Sequence, residues 1–301
     1  MPTPADSDVK RVVELVNMRS RTDRKMGYGW MIAPFLPIIL VTIILAVVLG
    51  IVVSVISKMG AVTQPQNFTS AGGAVASAIG GVVAIYGFAI VGGYFVLLLT
   101  ALAFYYLIQR RNDHFARQQL LFSTLNQLLS NGTQARPSET TSRLSHLSED
   151  SVFEERQRAA GVWAILFLFV SPIVGLIIAY SLTQDLRKHE ALQAEYRIAL
   201  SEAFRDAGYG SPTFATPKLH NRDPLLFVIL SAITAGLFWI YWFYTLLHDY
   251  NEHFAQQADF ENQIVNLLKP PAPVSGRTCK ACGASIPENA RFCPSCGTPS
   301  S

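Results

Sequence analysis

Four stretches of this chain carry no charged side chain: Trp30 to Ser57, Ala71 to Gln109, Ala159 to Gln184 and Pro224 to Leu247. Each is long enough for the roughly 20 residues that cross the apolar core of a bilayer. Only 15% of the 301 residues are charged, against about a quarter in soluble domains, and the charges are swept out of these runs rather than diluted across the chain. Four such runs argue against the buried core helices of a water-soluble protein. They predict an all-α polytopic membrane protein with apolar helical segments at 30–57, 72–108, 160–182 and 224–247. The first run is far longer than the about 7–15 apolar residues of a cleaved signal peptide. It reads as a retained helix, with Pro34 and Pro37 near its start, where a missing N–H does least harm.

Lysine and arginine set the expected orientation. Lys10, Arg11, Arg19, Arg21, Arg24 and Lys25 precede the first run, and Arg110, Arg111 and Arg117 follow the second, whereas the intervening loop holds only Lys58. Positive charge stays on the cytoplasmic side, so the N-terminus and the Arg110 segment are placed there. The expected localisation is the cell membrane, multi-pass, with both termini cytoplasmic. Asn67-Phe-Thr69 has the form of a glycosylation sequon in the outside loop, a three-residue match that chance explains as well.

Two segments resemble one another: Asn112-Asp-His114-Phe115-Ala116-Arg-Gln118 after the second run and Asn251-Glu-His253-Phe254-Ala255-Gln-Gln257 after the fourth. Trp30 … Pro37-Ile38 and Trp163 … Pro172-Ile173 pair more faintly, which together reads as a parallel 2+2 duplication. A third echo follows the third run, where Leu182-x-x-Asp185-x-x-x-His189 matches Leu246-x-x-Asp249-x-x-x-His253. If similar exits lie on one side, the third and fourth runs are re-entrant hairpins broken at Ser171-Pro172 and Thr234-Ala-Gly236, with arms of about a dozen residues, too short to span. Four ordinary spans are the preferred expectation and the re-entrant form is the alternative.

The chain's only four cysteines stand at its end as Cys279-Lys-Ala-Cys282 and Cys293-Pro-Ser-Cys296. Paired Cys-x-x-Cys knuckles bring four thiolates onto one tetrahedral ion, the closed geometry of structural zinc. Gly283 and Gly297 follow each pair, where a knuckle favours a residue tolerant of positive φ. The segment is too short for a core of its own, so the metal supplies most of its folding energy, roughly 10 kcal/mol or more. Four thiolates leave no open position for catalysis, and free thiolates agree with a reducing compartment. Thr278 to Thr298 resembles the short zinc-ribbon family on Cys-x-x-Cys-Gly, Pro287, Glu288, Ala290, Phe292 and Cys-Pro294-x-Cys-Gly. The resemblance implies a small β zinc ribbon with one structural Zn²⁺ on Cys279, Cys282, Cys293 and Cys296. Separately, Ile233 to Trp242 is similar to a class of small prokaryotic membrane domains with a Thr-x-Gly break, which implies no activity.

The expected organisation is a membrane half at 1–129, a flexible cytoplasmic loop at 130–150, a second membrane half at 151–268, a proline-stiffened linker at 269–277 and the ribbon at 278–298. The linker spans about 20–25 Å if extended. Leu121, Phe122, Leu125, Leu128 and Leu129 keep helical spacing, as do Phe260, Ile264, Leu267 and Leu268. They predict helical extensions that bury these stripes against sibling helices.

A second candidate site gathers His114, His189 and His253 at the cytoplasmic face, with Asp185 and Asp249 one turn earlier, to hold a metal or a proton. The simpler reading has each histidine at headgroup level or bonded to its aspartate. No charge lies inside the four runs, so nothing marks an ion pathway; transport of a neutral or apolar solute stays an alternative. Glycine pairs such as Gly80-Gly81 and Gly92-Gly93 offer close helix packing and self-association. Arg277, Lys280 and Arg291 are a thin surface for nucleic acid, and a net charge of +3 is accounted for by orientation. The expected function is a membrane-anchored adaptor or regulatory scaffold whose ribbon or cytoplasmic helices engage a protein partner, with no catalysis inferred. The bilayer is the other expected partner.

Overall fold

A computed structural model describes residues 4–60, 68–132, 139–210, 212–216, 218, 220–269, 277–286, 291–293 and 295–299. Asn67, most of the proline-rich linker, and Pro287, Glu288, Ala290 and Pro294 of the ribbon motif lie outside the described residues. Helices α1 (Pro4–Asn17) and α2 (Arg19–Thr22) lead through a 3-10 turn at Tyr28–Met31 into α3 (Ile32–Gly60), which contains Pro37. Helix α4 (Phe68–Gly132) runs for 65 residues, about 100 Å at the α-helical rise. Its apolar first half packs along α3 and its charged second half continues beyond it. In neither helix is any residue of the most apolar 18-residue window buried. Leu45, Leu49, Val53, Ile79, Val83 and Val91 all point outward, apolar exposure of the kind that marks a membrane or protein contact.

The 130–150 segment, expected as a loop, carries α5 (Glu139–Glu154). Its buried face is Leu144, Leu147, Ser148 and Ser151, a helical stripe half made of serine and therefore too polar to show as apolar periodicity.

Helices α3 and α4 are long and apolar enough to cross a membrane; the third and fourth runs are each interrupted. The third forms α6 (Ala160–Phe169) and α7 (Ser171–Asp206), and the fourth forms α8 (Pro224–Ile233) and α9 (Phe238–Leu268). The first break is a non-helical Val170 (φ −133°) followed by Pro172 in the first turn of α7, where proline starts a helix better than it continues one. The second has Ala235 and Gly236 at positive φ, and the Thr234 hydroxyl accepts the Phe238 N–H at 2.9 Å. Each break folds its run into a hairpin. Phe227 stacks edge-on to Phe238 at 5.0 Å and to Trp242 at 5.6 Å. Arg158 pairs with Asp185, and Arg222 with Asp249, both across 27 residues; an unbroken helix would hold those partners about 40 Å apart. Helices α6 and α8, 10 residues each, extend about 15 Å, half the roughly 30 Å of a bilayer core.

Two apolar cores stack along the long helices. Phe104, Leu107, Leu182, Trp242 and Leu246 centre the first. Leu121, Leu125, Tyr196, Leu200, Phe260 and Ile264 centre the second, where Val12 of α1 and Leu144 of α5 join them. The stripes on the extensions of α4 and α9 therefore bury against sibling helices. Between the two cores lies a buried polar layer. Beyond α9 the fold is small: β1 (Arg277–Thr278) pairs antiparallel with β2 (Ser285–Ile286), and Phe292 bridges to Pro299.

Candidate metal centres

The polar layer is built where α4, α7 and α9 converge, and its centre is His114, His189 and His253. The ring centroids are 5.3, 5.1 and 5.0 Å apart, a nearly equilateral triangle, and all three rings are buried. One ring nitrogen from each lies within 4.8 Å of the other two. The closest approach is His253 Nε2 to His114 Nε2 at 3.2 Å, between residues 139 positions apart.

Each outward-facing Nδ1 meets a carboxylate. Asp23 Oδ1 lies 3.0 Å from His114 Nδ1, Glu155 Oε1 2.6 Å from His189 Nδ1, and Glu190 Oε1 3.4 Å from His253 Nδ1. Arg117 donates to the other oxygen of Asp23 at 2.7 Å. Glu190 also accepts the His220 backbone N–H, and its Oε1 lies 2.7 Å from His220 Nδ1. Burial works against ionising Asp23, yet the His114 ring and the charge of Arg117 outweigh it and hold the carboxyl well below its ordinary range. Burial likewise opposes ionising Glu190, but hydrogen bonds from His220 and His253 hold its pKa at about 2. Burial takes the His253 imidazole the other way, down to about 4, against the pull of Glu190. Asp23 and Glu190 are thus charged and the His253 ring neutral at physiological pH.

Asp185 and Asp249 do not join the triad. Asp185 accepts two hydrogen bonds from Arg158, at 2.7 and 2.8 Å, and lies 3.1 Å from Arg111. Asp249 takes a two-pronged grip from Arg222. They close the hairpins, and their carboxylates are taken up by arginines rather than by the rings one turn later. Two asparagines do similar work. Asn112 exchanges hydrogen bonds with the backbone N–H and C=O of Arg158, and Asn251 does the same with Met26, so one clamps the start of the α6–α7 hairpin and the other the approach to α3. Sequence reasoning missed Asp23, Glu155, Glu190, Gln193 and His220. The available signal was an acid beside a basic residue just ahead of an apolar run, as in Asp23-Arg24 and Glu155-Arg156.

The C-terminal cysteines form two matching knuckles. The Gly283 N–H donates to the Cys279 carbonyl at 2.8 Å and the Gly297 N–H to the Cys293 carbonyl at 2.9 Å. Both glycines sit at positive φ, 73° and 72°, which lets the chain turn back under the sulfurs. The Cys279 and Cys293 N–H groups donate to Ala284 and Thr298, closing each loop. Cys279 Sγ lies 3.6 Å from Cys296 Sγ, and Cys282 Sγ 3.7 Å from Cys293 Sγ. A tetrahedron with zinc–sulfur arms of about 2.3 Å has edges of about 3.8 Å, so the donor set and its spacing fit one zinc. Bound there, the metal would supply folding energy rather than a reactive position. No curated protein and no solved structure matches the chain. Residues 278–300 match the zinc-ribbon domain family, and with four cysteines at zinc-binding distances the C-terminal module is a zinc ribbon for one structural zinc.

Proposed function

We propose that this chain is a membrane-anchored adaptor or regulatory scaffold that presents its zinc ribbon to a protein partner in the cytoplasm. The observation that carries this reading is the pairing, in one chain, of outward-facing apolar helices with a closed four-thiolate module. The window of greatest hydropathy in α3 and in α4 has no buried residue, and lipid is the solvent that such a surface calls for. The ribbon has no vacant metal position, so its role is recognition. Phe292, 60% exposed beside Arg291, is its natural contact residue, since aromatic and arginine side chains dominate interface energies.

In this reading α3 and the apolar half of α4 cross the bilayer. The hairpins α6–α7 and α8–α9 enter and leave from the cytoplasmic side, and Arg158 and Arg222 sit at their mouths. The N-terminal and post-α4 arginines then lie with the ribbon on the positive side. The test is chemical cross-linking of the full chain in cells, comparing wild type with Cys279→Ser/Cys282→Ser. The account expects both proteins in the membrane fraction and a cross-linked protein partner with the wild type alone. Nucleic acid in the cross-linked product, or a partner unaffected by the cysteine changes, would overturn the assignment of a protein reader to the ribbon.

A further inference from the structure

The histidine triad has the layout of a second metal site. We propose that His114, His189 and His253 bind one divalent transition metal of the zinc class through inward-facing ring nitrogens. Asp23, Glu155 and Glu190 act as the carboxylates that orient the rings.

The ring tautomers set the constraint. A carboxylate at Nδ1 favours a proton on that nitrogen. His189 Nδ1 is hydrogen-bonded to Glu155. Asp23 and Glu190 lie 3.0 and 3.4 Å from Nδ1 of His114 and His253, the first at an angle that leaves His114 Nδ1 without a hydrogen bond. The lone pair of each ring is then left on Nε2. Two of these, on His114 and His253, face one another at 3.2 Å in a fully buried layer, where two acceptors repel with no water between them. Moving a proton into that gap only transfers the conflict, because the ring that gives up its Nδ1 proton then turns a lone pair toward Asp23 or Glu190. A cation between the rings satisfies every group at once. Metal–nitrogen bonds of about 2.0–2.1 Å subtend 3.2 Å at an angle of about 100°, close to tetrahedral. Histidine held by a carboxylate on its far nitrogen is the usual outer shell of such ligands.

Two further observations agree. Gln193 donates its amide to His189 Nε2 at 2.9 Å, while its own Oε1 is buried without a hydrogen-bond partner. Rotating that amide frees the His189 lone pair and turns the orphaned oxygen toward the centre, where a metal-bound water would donate to it. An open cleft of about 430 Å³, lined in part by Asn17, Arg19, Lys25 and Asp23, lies on the far side of the residue that backs His114. Three imidazole nitrogens select the zinc, cobalt, nickel and copper class over magnesium or calcium. They leave one position open, unlike the ribbon.

The test uses the full chain with Cys279, Cys282, Cys293 and Cys296 all replaced by serine, carrying no histidine tag, stripped with chelator and titrated with Co²⁺. The proposal expects one equivalent bound, with ligand-field bands, no sulfur-to-cobalt charge transfer, and displacement by Zn²⁺. His114→Asn/His253→Asn should abolish it, and Glu155→Gln should weaken it about 10–100-fold. Because the first measurement leaves the triad intact, it stands even where a histidine variant fails to fold. A folded cysteine-free chain that binds no Co²⁺, or one whose bound Co²⁺ survives loss of both histidines, overturns the site. An imidazolium signal without metal binding would also overturn it, by showing that a proton resolves the conflict instead.

Discussion

Glu190 sits where three demands meet: it accepts the His220 backbone N–H, and its Oε1 lies within reach of both the His220 and His253 rings. His220 is answered on its other side by Glu252 at 3.1 Å and, further off, by Asp249. Burial alone would lower the His220 pKa, but Glu190, then Asp249 and Glu252, outweigh it and the net shift is upward. Linkage then fixes a sign. Below the ordinary imidazole pKa of about 6.5 both folded and unfolded His220 are protonated, and its ion pairs contribute in full. As pH rises through the elevated folded value the contribution is lost. His220→Gln should therefore melt a few degrees below wild type at pH 6 and converge with it toward pH 9; a gap that widens with pH would contradict the assignment. The sequence made the ribbon fully legible at this scale, because its four ligands and two glycines are local in spacing. It made the triad half legible. The recurring His114, His189 and His253 were visible, but the acids behind them come from other segments, and the aspartates at helical spacing drew attention by proximity alone. Asp185 and Asp249 have arginine partners 27 residues upstream, beyond any local pattern.

Hydropathy located the four apolar runs and could not say which of them bend. The bends rest on backbone detail: Pro172 in the first turn of α7, and Ala235 and Gly236 at positive φ between α8 and α9. The Leu-x-x-Asp-x-x-x-His echo between α7 and α9 anticipated that the two hairpins share a plan, more closely than the pairing of halves did. Packing within the first hairpin gives a test. A side chain at Gly175 would meet the Phe167 ring at 3.0 Å, and that ring is already wedged edge-on against Phe104 at 5.1 Å. Gly161, on the other arm, faces open space. Gly175→Val should destabilise the protein by about 1–3 kcal/mol through overpacking, whereas Gly161→Ala should be neutral or stabilising. Thermal melts in one detergent decide it, and equal effects at both positions would mean that α6 and α7 do not close as described. Helix α5 was missed because Ser148 and Ser151 fill half of its buried face, and small polar residues leave no trace in a hydropathy pattern.

At the scale of the molecule, the ribbon folds on its metal and the helical part on its two cores. Cys279→Ser/Cys282→Ser should therefore abolish metal binding by the ribbon while leaving far-UV helical signal and membrane extraction behaviour unchanged. Loss of helical structure in that variant would show that the ribbon is part of the helical core. The histidine layer joins the cores and lies on the ribbon's side of the membrane only if both short hairpins return to the side they came from. That return is the central claim. It is tested most directly with single cysteines, Gln64→Cys and Ser211→Cys, in a chain whose four native cysteines are serine, labelled in intact cells with a membrane-impermeant maleimide. The account predicts labelling at 64 and protection at 211 until the membrane is permeabilised. Labelling at 211 from outside would mean that the third and fourth runs cross the bilayer, and would contradict the re-entrant architecture and the shared cytoplasmic face built on it.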